Sequence, residues 1–254
     1  TEKGMAFVID INLNIRNVTP VGRKILKCCI SSSNLYIMIL EDQTILIRNT
    51  DYPSEDILIN TTKFRDISID DQNERFIAIT FDGIIHIYNE KYTNQMVPTM
   101  ISFNQPLKRA IFVQGTFVSL TLKGEIYTRG DNNKGLLGQG LPIGYQPKDQ
   151  IYKVNIPEKV KSIQSNDSSL AAVTEDGKLY MWGENKGNII TIPEELMDIP
   201  SKYVLSFIKP LIQIINIPVR IAEDPTDQTN VEYSNIAIGD TFNIAVMKDR
   251  TVRI

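Results

Sequence analysis

The sequence contains few residues that could perform covalent chemistry or hold a metal ion. His86 is its single histidine, within the strand-like stretch 84–88, and its two cysteines, Cys28 and Cys29, are adjacent. One histidine and two adjacent cysteines cannot supply the four ligands of a tetrahedral zinc site. A lone histidine within a strand is more often structural than a general base. We therefore expect no catalytic residue and no metal site.

Three further stretches resemble ligand-binding loops only in part. Residues 131–135 read Asp-Asn-Asn-Lys-Gly, which places glycine one position early for a calcium loop and lacks the closing glutamate. The acidic residues between 66 and 74 follow an alternating strand, which is typical of a solvated loop. The Gly-Gln-Gly at 138–140 lacks the lysine and hydroxyl residue of a phosphate-binding loop. We expect no bound cofactor.

Composition and charge argue against two further classes of protein. The 254 residues are 42% hydrophobic, which is enough for a sizeable core, and the formal net charge of −3 argues against generic nucleic-acid binding. The longest apolar stretch, 204–221, is interrupted by charged residues and prolines, so we expect no membrane span. Adjacent cysteines on one strand point to opposite faces, which indicates a reducing, intracellular compartment, cytoplasmic or nuclear.

A repeated pattern of β-hairpins organises the chain. At seven places, 32 to 53 residues apart, apolar residues alternate on both sides of a polar two-residue tip, which predicts a hairpin with one face toward a core. Asp82-Gly83, Lys123-Gly124 and Asp176-Gly177 supply the glycine of a tight turn. Lys209-Pro210 fits worst, because proline cannot adopt a positive φ. The predicted hairpins lie near 5–17, 35–49, 76–89, 117–130, 170–183, 203–216 and 243–254.

The connections between hairpins leave about 15 to 30 residues each, enough for the two further strands of a four-stranded blade. Predicted first strands lie at 25–30, 64–69, 107–113, 160–164 and 233–238, and predicted fourth strands at 56–59, 99–103, 151–156, 188–192 and 218–221. In six of the seven repeats, the position seven residues after the first tip residue holds Asn17, Asn49, Asn89, Gly130, Gly183 or Asn216. A pair of β-sandwiches would not place Gly or Asn at this one offset six times. The sequence predicts an all-β fold, a seven-bladed β-propeller with degenerate and shortened blades, as a single domain over 1–254.

Two repeats also resemble a known family. Residues 120–140 read LTLKGEIYTRGDNNKGLLGQG and residues 171–187 read AAVTEDGKLYMWGENKG. They resemble the repeat of the regulator of chromosome condensation family, in which Trp-Gly ends a strand and an Asn with a Leu-Gly-x-Gly loop follows. The matching positions are Gly124, Gly130, Asn132, Gly135, Leu137, Gly138 and Gly140, and then Gly177, Trp182, Gly183, Asn185 and Gly187. The resemblance implies a seven-bladed propeller, in agreement with the hairpin count.

The repeat pattern predicts two sets of residues, one structural and one for binding a partner. The predicted roles of Gly83, Gly124, Gly130, Gly177, Trp182 and Gly183 are structural: the glycines shape the turns and the tryptophan packs a blade. Partner-binding candidates lie in one of the longer connections, 131–150, because loops on a rigid scaffold are the usual location of binding specificity. They are Asp131, Asn132, Lys134 and Tyr145.

The favoured function is a non-enzymatic scaffold for protein–protein interaction, with one or more proteins as partners. The resemblance implies an alternative, a guanine-nucleotide exchange factor or regulator acting on a small GTPase, because the family's founding member acts on Ran through a wedge loop. No residue of this chain can be matched to that wedge. A third interpretation is a structural or adaptor module of a larger assembly, such as a ubiquitin ligase or a viral particle. A propeller hydrolase would need a ring of histidine or acidic residues at matching repeat positions, which the sequence lacks.

Overall fold

The fold, seen in a computed structural model, consists of β-strands connected in chain order. The structure describes residues 5, 7–9, 15–17, 20, 22–31, 35–49, 56–70, 75–89, 97–103, 105–144, 150–186, 214–221, 232–239 and 243–253. The chain divides into two compact units, residues 1–111 and residues 112–254. That these form a single domain stays a prediction. Within the described ranges, no helix has the length and apolar character that crossing a bilayer requires.

The first ten strands form a hairpin and two four-stranded sheets. The hairpin pairs β1 (Phe7–Ile9) with β2 (Ile15–Asn17). One sheet contains β3 (Ile25–Ile30), β4 (Leu35–Leu40), β5 (Ile45–Asn49) and β6 (Ile57–Ile59). The other contains β7 (Phe64–Asp70), β8 (Arg75–Thr80), β9 (Ile84–Asn89) and β10 (Thr99–Ser102).

The remaining strands form two four-stranded sheets and one three-stranded sheet. These are β11 (Leu107–Val113), β12 (Thr116–Thr121), β13 (Ile126–Gly130) and β14 (Tyr152–Lys153). Next come β15 (Val160–Ser165), β16 (Ser169–Thr174), β17 (Leu179–Glu184) and β18 (Ile214–Ile221). The last sheet is β19 (Tyr233–Ile238), β20 (Asn243–Met247) and β21 (Val252–Arg253).

Two pairs of consecutive sheets pack face to face, one pair in each unit. Every residue of the second strands β4, β12 and β16 is buried, which requires cover on both faces. One core in the first unit joins the sheets β3–β6 and β7–β10, with Ile37, Ile39, Phe64 and Phe76 among its members. One core in the second unit joins the sheets β15–β18 and β19–β21, with Ala171, Met181, Ile236 and Met247. Sheets stacked in this way are the blades of a propeller.

A backbone hydrogen bond links three hairpin tips to the sheet that follows. The carbonyl of the tip residue accepts the N–H of the first residue of the next first strand. The pairs are Gly124 with Val160 (N to O 2.9 Å), Gly177 with Tyr233 (2.7 Å) and, in the first unit, Gln43 with Phe64 (2.9 Å). The tip residues all have positive φ, between 67° and 89°. A left-handed tip therefore aims its carbonyl at the neighbouring strand.

Four of the first strands share a second feature, an irregularity at their second residue. The pairing with the second strand shifts register between Ile25 and Lys27, Phe64 and Asp66, Val160 and Ser162, and Tyr233 and Asn235. A bulge at this point lets the first residue of the strand be buried against the preceding tip while the rest of the strand continues its alternation.

The described residues correct the predicted number of blades. They form four sheets of four strands and one of three, so there are five blades and not seven, although the all-β propeller fold is supported. The hairpin β1–β2 forms a sheet of its own. Most of the predicted sixth hairpin, 203–213, and the predicted strand 188–192 lie outside the described residues. The segment 214–216, expected to end that hairpin, belongs to β18, whose Ile215 pairs with Gly183 of β17. Apolar alternation looks the same in a second and in a fourth strand, so part of β18 was counted as a hairpin of its own. The two-stranded hairpin β1–β2 was also counted as a blade.

Replacing Gly177 with alanine tests the tip contact. A Cβ added at Gly177 would lie 2.8 Å from the Cβ of Glu232, at a φ of +89° that alanine disfavours. We expect Gly177→Ala to lower the free energy of unfolding by about 2–4 kcal/mol, measured by urea denaturation. The control is Gly144→Ala, at φ +81° with its nearest neighbouring atom 3.9 Å away, for which about 1 kcal/mol is expected. Equal losses in the two variants would show that the tip makes no tight contact.

Candidate interaction site

His86 is packed as a structural residue. It lies in β9, is 6% exposed, and its ring stands edge-on to that of Phe64 with centroids 5.5 Å apart. Its Nδ1 is 3.3 Å from the hydroxyl of Tyr88. Burial lowers the pKa of His86, so the imidazole is neutral at physiological pH. Among the described residues, no group of three His, Cys, Asp or Glu side chains could hold a metal ion.

The two cysteines are free thiols with little nucleophilic character. Burial, together with the neighbouring Cys29, raises the pKa of Cys28 to about 12. Burial also raises the pKa of Cys29, whose Sγ donates to the carbonyl of Ile67 over 3.5 Å. Because the thiolate is the reactive form, neither cysteine is activated for attack at neutral pH.

The loop that joins β13 to β14 is held together by one buried side chain. We call residues 131–144 the interaction loop. Asn132 is 1% exposed, and its Nδ2 donates to the carbonyls of Leu141 (3.3 Å) and Pro142 (3.1 Å). Its Oδ1 accepts the N–H of Leu137 over 3.3 Å. Asn132 thus ties the two ends of the loop together, and any contribution to partner binding would be indirect.

The other candidates in this connection occupy different settings. Asp131 accepts the backbone and side-chain N–H of Asn133, both over 2.7 Å. Lys134 donates to Glu184 of β17 over 2.7 Å, and this hydrogen bond holds the pKa of Glu184 below its usual value. Tyr145 lies outside the described residues. The role of all four candidates in partner binding stays a prediction.

Trp182 of β17 holds the interaction loop through a hydrogen bond from its indole ring. The indole is fully buried, and its Nε1 donates to the carbonyl of Leu136 over 3.0 Å. Thr128 donates to the neighbouring carbonyl of Leu137 over 2.8 Å. A Cβ on Gly138 would approach the indole nitrogen to 3.2 Å, so this glycine lets the loop lie against the ring. The tryptophan of one repeat therefore holds the loop of the repeat before it.

The other glycines that the repeats single out all have positive φ where they fall within the described residues. A Cβ on Gly130 would lie 2.3 Å from the carbonyl oxygen of Gly115, and one on Gly183 would lie 2.6 Å from that of Ser168. At Gly83, with φ +88°, an added Cβ would lie 2.8 Å from the carbonyl oxygen of Gln105. These glycines permit close passage of two backbone segments.

Sequence reasoning missed two groups of residues. Thr80, Thr121 and Thr174 each accept, through the hydroxyl, the N–H four residues further on, over 2.8 to 3.1 Å. A threonine two positions before the tip in three repeats is the signal that could have found them. The second group is the exposed outer side of the interaction loop, where Ile143 is 45% exposed and Asn133 is also exposed. Loops on a rigid scaffold are the usual location of binding residues, so Ile143 is a candidate contact for a partner protein.

Replacing Trp182 with phenylalanine tests the hold on the loop. Phenylalanine keeps a six-membered aromatic ring but loses the indole N–H, which leaves the carbonyl of Leu136 without its donor at a cost of about 1–3 kcal/mol when buried. We expect Trp182→Phe to speed tryptic cleavage after Lys134 at native conditions, measured by mass spectrometry. The control is Tyr180→Phe, which lies on the same strand and bonds to Glu158 instead. Unchanged cleavage in Trp182→Phe would contradict a clamp by the indole.

Comparisons with known proteins agree with the repeat pattern. The X-linked retinitis pigmentosa GTPase regulator of Mus musculus is 35% identical over 101 residues, which are 39% of this chain and 10% of that protein. The regulator of chromosome condensation of Homo sapiens is 28% identical over 100 residues, 39% of this chain and 23% of that protein. The structure of Prp20p from Saccharomyces cerevisiae covers 96% of this chain and 62% of that one, with a TM-score of 0.71 and 12% identity. No family model matches the chain.

These likenesses confirm the resemblance predicted from the repeats. The curated matches and the structural match all involve propellers of the same type, and the low identities fit a divergent sequence. The chain spans between a tenth and a quarter of the length of these two curated relatives, and about three fifths of Prp20p. The likeness to Prp20p concerns the fold alone.

Proposed function

We propose, starting from a divergent β-propeller like that of the regulator of chromosome condensation, that this chain is a non-enzymatic protein-interaction module. The observation that carries the proposal is the interaction loop. Its backbone is fixed by Trp182 and Asn132, while Ile143 and Asn133 face solvent. A loop ordered before binding loses less conformational entropy when a partner docks. The neutral His86 and the high pKa of Cys28 also favour binding over covalent chemistry.

A second candidate function is regulation of a small GTPase. It is favoured by the relatives, one of which is called a GTPase regulator, while Prp20p was described with its binding to Gsp1p and histones. The matched part of this chain is about 100 residues of repeats. In this alternative, the exposed side of the interaction loop would contact the GTPase. We place either function in the cytoplasm or nucleus, consistent with two free cysteines.

A crosslinking pull-down from extracts of the cells that make the protein tests the proposal, with bound proteins identified by mass spectrometry. The variant is Ile143→Asp, which puts a charge on the exposed side of the loop without touching Trp182. The control is Met100→Asp, at a side chain 61% exposed on β10. We expect at least one partner to be recovered about fivefold or more weakly with Ile143→Asp and equally with Met100→Asp, because a buried charge at a contact is costly.

The proteins recovered in the same pull-down distinguish the interaction module from the GTPase regulator. A recovered small GTPase whose bound nucleotide is released faster by the wild-type chain than by Ile143→Asp would establish the regulator. A recovered assembly without a GTPase would establish the interaction or adaptor module. Identical recovery of every partner by wild type and Ile143→Asp would refute the interaction loop as the binding surface.

A further inference from the structure

A second surface lies at the other end of β13. The interaction loop begins where β13 ends, at Gly130, whereas Ile126 at its start borders a cleft of about 580 Å3. We call this cleft the tip cleft. It is lined by the hairpin tip 122–126 on one side and by residues 153–160 on the other. Its volume lies within the range of binding sites for small ligands and short peptide segments.

The tip cleft has an apolar part that is accessible to solvent. Leu122, at the hairpin tip, is 52% exposed, and Pro157 opposite is also exposed. Ile156 is half-buried and Val154 is buried in the same lining. These side chains offer a contact for an aliphatic group of moderate size.

The acidic residues of the tip cleft are already paired within the protein. Glu125 accepts from Lys153 over 2.7 Å and from Tyr127 over 3.2 Å, and the hydrogen bond from Lys153 holds the pKa of Glu125 below its usual value. Glu158 accepts from Lys178 and, over 2.8 Å, from Tyr180. Burial opposes ionisation of Glu158, but these hydrogen bonds outweigh it and its pKa is lowered. Both carboxylates are therefore ionised and already hydrogen-bonded to residues of the protein.

The lysines of the tip cleft outnumber its carboxylates. Lys123, Lys153 and Lys159 line it against the two glutamates, so the lining carries a net charge of +1 in a chain whose net charge is −3. Lys123 and Lys159 are exposed and form no ion pair with any residue in the described part of the chain. Two ammonium groups are thus available to an anionic ligand.

Three backbone N–H groups in the lining of the tip cleft are already bonded within the protein. A phosphate site usually presents several unbonded N–H groups to the oxygens. Here the N–H of Val154 donates to Ile126, that of Ile156 to Val154, and that of Val160 to Gly124, over 2.9 to 3.1 Å. An apolar floor with lysines at the rim fits a carboxylate-bearing peptide better than a free phosphate.

We propose that the tip cleft binds an extended peptide segment in which an acidic residue is next to an aliphatic one. The carboxylate pairs with Lys123 or Lys159, and the aliphatic side chain packs on Leu122 and Ile156. The arrangement uses the hairpin tip and not the interaction loop, so it does not depend on the function proposed for that loop. Attraction between exposed charges is screened by salt, which makes the binding dependent on ionic strength.

Fluorescence anisotropy with a labelled octapeptide of alternating glutamate and leucine tests this site. The matched peptide has glutamine in place of each glutamate. The protein variants are Lys123→Glu and Lys159→Glu, and the control is Lys63→Glu, an exposed lysine that precedes β7 as Lys159 precedes β15. We expect the glutamate peptide to bind about tenfold more tightly than the glutamine peptide. Each cleft variant should weaken it about tenfold, and Lys63→Glu less than about twofold.

Three results would overturn the proposal. One is equal affinity for the glutamate and glutamine peptides. Another is unchanged affinity in both Lys123→Glu and Lys159→Glu, with thermal unfolding showing that the variants are folded. The third is displacement of the peptide by millimolar inorganic phosphate but not by chloride at equal ionic strength, which would assign the cleft to a small anion.

Discussion

The hydrogen bond between a hairpin-tip carbonyl and the first amide of the next sheet is the interaction on which the other features depend. The carbonyls of Gly124 and Gly177 reach Val160 and Tyr233 only because the tips adopt a positive φ. The close approach of Glu232 excludes a Cβ at Gly177. The same bond draws residues 153–160 toward the tip of the β12–β13 hairpin, and the tip cleft lies between these two segments.

Both candidate surfaces are connections held by the blades beneath them. The interaction loop is fixed by Trp182, which lies in the following hairpin, and by the ion pair of Lys134 with Glu184. The two glutamates of the tip cleft are paired with lysines of two different sheets. Glu125 bonds to Lys153 in β14, and Glu158 bonds to Lys178 between β16 and β17. In each case the blades supply rigidity and the connections supply chemistry. The imidazole of His86 is neutral at physiological pH, and burial raises the pKa of both thiols.

Local patterns could predict where strands lie. They could not predict which strands share a sheet or which loop residues are buried, because long-range contacts decide both. Apolar alternation predicted the observed bounds of β3, β11 and β19. The glycines at 83, 124 and 177 have the positive φ expected of a tight turn. Alternation could not separate the fourth strand β18 from a new hairpin, nor the two-stranded sheet β1–β2 from a complete blade, so the predicted blade count was wrong. Nor could it reveal that Asn132 is buried, because its partners Leu141 and Pro142 are nine and ten residues away in a loop without periodicity.

Amide hydrogen exchange at Val160 and Tyr233 tests the coupling of each tip to the next sheet most directly. Both residues begin a strand, where amides usually fray and exchange quickly. Because their N–H groups donate to Gly124 and Gly177, we predict protection comparable to that of the central strand β16. In Gly177→Ala, the protection of Tyr233 should fall more than that of Val160. Exchange of both wild-type amides as fast as that of exposed Lys159 would contradict the account.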